Sequence, residues 1–281
     1  MMKNRLKNIS FAIAILCFMS FKPLTNDELF SVTTDPCHSV NSTFQEGEEL
    51  TYKLYYNWNA AWFSAGEVVF KVQDEGNQYH VSAEGHTYRS YEWFYKVHDY
   101  YDTYLDKSSM LPIVSQRNVA EGKYRLYDKI VFNQDQHQAT SYRGKTKETT
   151  QKTTYDTKEC MHDILSVIYY IRNVDTENAA KGSKIPIKIF MDGEVFPLSV
   201  KYKGKQNYVA LHQMGHYNTI KLSPQVINGR VFKDGSEVNI YASDDANKIP
   251  LMIESPLSVG SLKAVLKSYK GLRFPFTAKV D

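Results

Sequence analysis

FQEGEELTYKLYYNWNAAWFSAGEVVFKV, residues 44–72, carries a two-residue rhythm of large side chains. Leu50, Tyr52, Leu54, Tyr56 and Trp58 alternate with Thr51, Lys53, Tyr55 and Asn57. Successive side chains of a strand point to opposite faces, so this pattern describes a strand with one face on a core and the other wetter. Ala65-Gly66 breaks the run, and Val68, Phe70 and Val72 restart it.

The same rhythm extends outward. Turn residues at 74–77 precede alternating Tyr79, Val81 and Ala83, and further strands are expected at 99–105, 113–119, 124–132 and 138–143. Residues 90–97 fit one helical turn, and the Thr- and Lys-rich stretch 145–154 reads as an exposed strand or loop. The period then changes. Met161, Ile164, Leu165, Ile168 and Ile171 recur at spacings of three and four, which predicts an amphipathic helix over residues 158–172 with Thr157 as its N-cap. Asp192-Gly193 between two apolar runs is the strongest hairpin signal, because both residues accept the left-handed conformations of a primed turn. Pro186 and Pro197 put its strands at an edge or at a late start. Strands at 208–213, 218–222, 237–243, 250–254 and 261–269 complete the chain. No repeat and no linker divides it, so a single domain over residues 44–281 is expected.

At the N-terminus Lys3, Arg5 and Lys7 precede an uncharged apolar run at 9–21, the pattern of a secretory signal, followed by a loose arm at 22–43. Three of the 34 basic residues lie in that leader, and the remainder balance the 31 acidic ones. A near-neutral exported chain argues against nucleic acid as a partner. Cys17 sits inside the apolar run behind bulky Leu16, a poor lipidation site. Cys37 and Cys160 are left either as two separate thiols or, in an oxidising compartment, as one disulfide.

Candidate chemistry is sparse. His212 and His216 are four apart, but Gln213 and Gly215 between them suit a turn better than a metal-binding helix. Asp244, Asp245 and Asn247 offer oxygen ligands without the spacing of a calcium loop. Cys160 and His162 fall on different sides of the predicted helix, and no Gly-x-Ser-x-Gly elbow occurs. Glu48-Glu49, or Asp99 with Asp102, would serve as a glycosidase pair only if their carboxyls converged. The expectation is a noncatalytic protein with no cofactor and no metal. Aromatic residues are denser than one core requires, so rings are expected to line a cavity on a curved sheet. Tyr56, Trp58, Trp62 and Trp93 are the candidate contacts for an apolar, lipid-like ligand or a glycan.

The segment at 44–72 resembles the start of the DUF3108 family, exported bacterial proteins of unknown function. CMHDILSVIYYIRN at 160–173 is similar to the family's central helix, and IYASDDANKIPLMIESPLSVGSLKAVLKSYKGL at 240–272 to its C-terminal strands. The resemblance implies a periplasmic or cell-surface location and a mainly β domain, and it supplies no catalytic residues. The expected architecture is one antiparallel, strongly curved sheet or open barrel with the helix on its concave side, in outline similar to periplasmic lipoprotein carriers. A structural or assembly role in the envelope is the main alternative, and a hydrolase a lesser one.

Overall fold

The computed structural model describes residues 37–58, 61–93, 95–211, 214–225, 237–257 and 260–280, the side chain of Trp58 excepted. The leader at 1–21, most of the arm at 22–43, and His212 lie outside the described residues. The strands, in order, are β1 (Glu49–Trp58), β2 (Ala61–Glu75), β3 (Gln78–Thr87), β4 (His98–Asp106) and β5 (Pro112–Glu121). β6 (Tyr124–Asn133), β7 (Gln138–Gly144) and β8 (Gln151–Asp156) follow. After a helical segment come β9 (Lys184–Met191), β10 (Glu194–Leu211), β11 (Gly215–Pro224), β12 (Asn239–Ser243), β13 (Pro250–Pro256) and β14 (Ser261–Lys270). A short helix, α1 (Arg89–Glu92), lies between β3 and β4, and the main helix, α2 (Ile164–Asn173), between β8 and β9.

All these strands form one antiparallel sheet in the order β8-β7-β6-β5-β4-β3-β2-β1-β14-β13-β12-β11-β10-β9. Each strand pairs with its sequence neighbours except at two places. β1 pairs with β14 in the middle of the sheet, and the two edges, β8 and β9, are consecutive in the chain. The sheet is therefore open between β8 and β9, and the segment that links these two edges carries α2.

The opening strands behave as their rhythm predicts. Leu50, Tyr52 and Leu54 are buried, while Lys53 and Glu49 on the other face reach solvent or ion pairs. Ala65 is the extra residue of a bulge, because Leu54 pairs with Gly66 and Tyr55 with Ser64. A Cβ on Gly66 would meet the His86 carbonyl oxygen at 2.2 Å, so only glycine lets β3 come that close. Further register shifts occur between β1 and β14, β4 and β5, β10 and β11, and β12 and β13. Bulges bend and twist a strand locally, which curls this long sheet on itself.

The helix starts later than its apolar stripe suggests. His162 pairs in parallel with Ile189, donating to the Lys188 carbonyl and accepting from the Phe190 amide, both at 2.9 Å. That pairing covers part of the β9 edge, which would otherwise template aggregation. Asp163, not Thr157, is the N-cap: its Oδ1 accepts from Leu165 N (2.7 Å) and Ser166 N (3.2 Å), and Ser166 Oγ accepts from Asp163 N (2.8 Å). Asp192 and Gly193 both have positive φ and join β9 to β10. Pro186 sits on the edge strand β9, and Pro197 on the part of β10 that precedes its first pairing with β11 at Val200.

Candidate functional site

Inside the curl, α2 divides the interior into an apolar and a polar side. Leu165 and Tyr169 are buried, and Tyr169 meets the ring of Phe44 edge-on at 4.8 Å. Each such fully buried side chain contributes about 1.5–3 kcal/mol through removal of apolar surface from water. The stripe Ile164, Val167, Ile168 and Ile171 does not complete this packing. It faces an apolar cavity of about 110 Å³ between the helix and the inner walls of β1, β2 and β9–β14. Opposite the stripe stand Leu50 and Phe70, Ile187 and Ile189, Val200, and Ile220. Ala242 and Ala264 also line it, where larger side chains would take up the space.

Both ends of the helix are fixed. At the start, Thr103 Oγ1 donates to Asp163 Oδ1 at 2.9 Å, and Gln134 bonds both the amide and the carbonyl of Met161 at 3.0 Å. Cys160, just upstream, is disulfide-bonded to Cys37, with 5.5 Å between their Cα atoms. At the end, Arg172 Nη1 and Nη2 donate to the two oxygens of Glu48 at 2.6 and 2.8 Å. The pair is sealed from water, with side-chain exposures of 3% and 0%. Arg172 Nε and Nη2 also donate to the Asn247 carbonyl, and Lys248 Nζ donates to the Val174 carbonyl at 2.9 Å. Cations at a helix C-terminus also suit its dipole. Asn173 Oδ1 accepts from Ser42 N at 2.6 Å.

Burial pushes the phenol of Tyr52 well up, and its hydroxyl donates to the Pro250 carbonyl at 2.8 Å. Burial also raises the Asp163 carboxyl, against the hydrogen bonds from Thr103, Leu165 and Ser166 that favour its charge. Beyond Asp163 the interior wall becomes polar. Arg117 Nη2 donates to Asp128 at 2.5 Å and to Asp192 at 2.7 Å, Arg143 donates to the same two carboxylates, and Ser141 donates to Asp128 at 2.8 Å. This cluster clamps the β9–β10 turn onto β5, β6 and β7. Burial works against charge on Asp192, but Arg117 and Arg143 outweigh it and hold the carboxyl below its ordinary range.

The candidate residues read from the sequence fall in different places. Tyr56 is half-buried and packs with Val238, Leu257 and Leu262. The same small cluster includes Ile240 and Ile253, which line the cavity, so Tyr56 adjoins its wall. Trp62 is 41% exposed, with Lys263 Nζ 4.8 Å from its ring centre, and Trp93 is 84% exposed. Neither lines the cavity, and its aromatic walls are Tyr52, Phe70 and Tyr169. Trp58 ends β1, and its side chain lies outside the described residues.

The paired carboxylates separate. Glu48 turns inward to Arg172, while Glu49 turns outward to Lys270 at 3.0 Å. Asp99 is fully buried and Asp102 faces outward to His80 at 2.8 Å, because a spacing of three puts two strand residues on opposite faces. Asp245 is filled by its own chain: it accepts from Ser243 Oγ, Asn247 N, Lys248 N and Thr277 N, and Asp244 pairs with Lys205. His216 stacks on Tyr208 at 4.0 Å. Among the described residues no three His, Cys, Asp or Glu side chains group to hold a metal.

The Arg172–Glu48 pair was missed by sequence reasoning, and the signal available was an arginine interrupting the apolar end of the helix. Among the described residues no helix is long and apolar enough to cross a membrane.

Comparison with known proteins agrees with this architecture. Residues 51–267 match DUF3108, a protein family of unknown function, and the chain belongs to that family. No curated protein matches. The crystal structure of a beta-barrel-like protein of a domain of unknown function, DUF1849, from Brucella abortus is similar in fold. It has a TM-score of 0.54 at 10% identity, covering 81% of this chain and 99% of that one. Two further structures are an exported protein with a YmcC-like fold from Bacteroides fragilis and a lipoprotein from Parabacteroides distasonis. Each has a TM-score of 0.29 at 11% identity over 83% of this chain and 99% of its own.

Proposed function

We propose that this DUF3108 chain is a noncatalytic protein of the cell envelope that holds an apolar, lipid-like ligand between α2 and the concave sheet. The observation that carries the reading is the cavity: helix residues Ile164, Val167, Ile168 and Ile171 face aliphatic strand residues across open space instead of closing on them. A void lined this way is dry, and the binding of an apolar molecule restores the dispersion contacts its walls lack. The polar side chains that reach those walls, Tyr52, Arg172 and Lys248 among them, already bond the Pro250 carbonyl, Glu48 and the Val174 carbonyl, so the apolar class is preferred over the carbohydrate one. At about 110 Å³ the space is smaller than the 300–1,000 Å³ or so of typical small-molecule pockets, which suits a slim chain segment rather than a headgroup.

The leader pattern read at 1–21 supports an exported location. Glu48, Glu49 and Asp102 are taken up in ion pairs and Asp99 is sealed from solvent on the opposite face from Asp102, which supports a binding role over a hydrolytic one.

Displacement of a fluorescent fatty acid from the delipidated protein tests the proposal. Saturable binding is expected, weakened about tenfold or more by Ile168→Trp and by Ala264→Leu, which fill the cavity from its two sides. Binding that ignores both substitutions, or no binding in the wild type, overturns it.

A further inference from the structure

Two of the polar side chains that line the cavity, Tyr52 and Arg172, are committed to partners within the protein, and a third, Gln225, is exposed. Lys248 and Thr176 differ from these. Both line the cavity, and both adjoin Val174, the residue that ends α2: Thr176 follows it by two positions, and Lys248 Nζ donates to its carbonyl at 2.9 Å.

Thr176 is 3% exposed, and its hydroxyl has no hydrogen-bond partner. Among the described residues it is the one cavity-lining side chain with a buried polar atom in that condition. Buried hydroxyls are normally bonded, so this one points to a group that the protein does not itself supply.

Lys248 is half-buried, and its place is set by a tight turn in which Asp245 accepts from the Lys248 amide at 3.3 Å and the Asn247 amide at 3.0 Å. Its ammonium has three donors, and the Val174 carbonyl takes one. Among the described residues no carboxylate pairs with it. Glu177 and Asp244 are each bonded to Lys205 at 3.0 Å, and Asp175 is exposed and accepts from the Glu177 amide. Burial lowers the pKa of Lys248; Asp175, Glu177 and Asp244 act in the opposite sense without cancelling it, and Lys205 adds to the fall.

A cation short of a counter-charge and a hydroxyl short of a partner therefore lie at one part of an otherwise aliphatic wall. A carboxylate answers both, since its two oxygens accept several hydrogen bonds. It is also the slimmest anionic end that a hydrocarbon chain can carry, whereas a phosphodiester headgroup exceeds what about 110 Å³ can hold beside a chain. An alcohol would leave the charge of Lys248 unanswered, and an amine would be repelled by it.

We infer that the cavity takes a single-chain fatty acid, its carboxylate bonded to Lys248 and Thr176 and its chain laid against the apolar stripe of α2. The inference rests on the proposed binding role and names the class of the ligand.

Calorimetric titration of the full, delipidated chain with decanoate, 1-decanol and decylammonium tests it, each kept below its aggregation limit at about pH 7, where the acid is ionised. The three probes share one chain and differ only in the head. Decanoate is expected to bind about tenfold or more tightly than decanol, and decylammonium more weakly than either. Lys248→Met should abolish the preference for acid over alcohol, and Thr176→Val, which keeps the side-chain shape, should reduce it about threefold or more. Lys248→Met also removes the bond to the Val174 carbonyl, but a purely structural role would weaken acid and alcohol alike and leave their ratio unchanged.

Equal affinities for decanoate and decanol overturn the inference and leave the apolar reading standing. A preference kept in full by either variant overturns it too, as does tightest binding of decylammonium, which would give the charge selection to Asp175, Glu177 and Asp244. Binding of none of the three probes overturns the proposed function, and the inference with it.

Discussion

Replacing Arg172 by Met keeps an apolar stem at the end of α2 and removes the guanidinium that bonds Glu48. Two charge-assisted hydrogen bonds of 2.6 and 2.8 Å disappear with it, as do two donors to the Asn247 carbonyl at 3.2 and 3.0 Å. What remains is a carboxylate with no exposed surface and no counter-ion. Breaking a buried pair from one side typically costs about 3–5 kcal/mol, because the surviving charge is left uncompensated. In a domain of this size each kcal/mol lowers the melting temperature by roughly 2–4 °C, so Arg172→Met should lose roughly 6–20 °C. Glu48→Gln should lose less, since an amide needs less solvation than a charge.

The combined Glu48→Leu and Arg172→Met variant should recover most of the loss, as apolar replacement of whole buried pairs often does. Urea unfolding of the wild type, Glu48→Leu, Arg172→Met and the combined variant under non-reducing conditions closes the cycle and gives the coupling energy directly. A loss below about 1 kcal/mol for Arg172→Met would place the pair among solvated surface bridges and refute the argument that it locks the helix.

Other outcomes follow from interactions at the rim. Reducing the Cys37–Cys160 disulfide, which spans 123 residues, should cost up to about 4–5 kcal/mol in the chain-entropy picture, read as a shift in the urea midpoint; no shift would mean the bond constrains nothing. His80 is held above its ordinary value by its hydrogen bond to Asp102, opposed by partial burial. Its folded pKa is thus raised, so its stabilising effect is complete below about pH 6.5 and fades as pH rises through the folded value. NMR titration should show a raised His80 midpoint that falls in Asp102→Asn, and an unmoved midpoint contradicts the assignment. Asp245→Ala should cost about 1–3 kcal/mol and speed amide exchange at Asn247, Lys248 and Thr277, whereas added calcium should leave the wild type unchanged.

Much of the sheet was legible because its signals are local. The alternation at 50–58, the break at Ala65-Gly66 and the Asp192-Gly193 turn each depend on a few neighbouring residues. The start of α2 was not, because residues 160–163 are recruited by the edge of β9, a partner some 25 residues away in sequence. Glu48 and Glu49 look equivalent in sequence and are separated only by the pleat, which sends one to a buried arginine and the other to surface lysines. The surplus of rings was visible, but not where it would go: aliphatic residues from distant strands filled most of the concave wall, and Trp62 and Trp93 went to the surface.

The pairing of the first strand with the last has a kinetic consequence. Glu49 finds Lys270 only when the whole chain is present, so the centre of the sheet is among the last contacts that synthesis permits. Until then β1 and its following hairpins form a half-meander with a bare inner edge, and the later strands form another. The molecule is thus assembled from two ladders joined through the helical segment, with the least local contact at its middle. Such long-range closure slows folding. It also leaves the half-meander's unpaired edge as the stretch most in need of protection while the chain is incomplete.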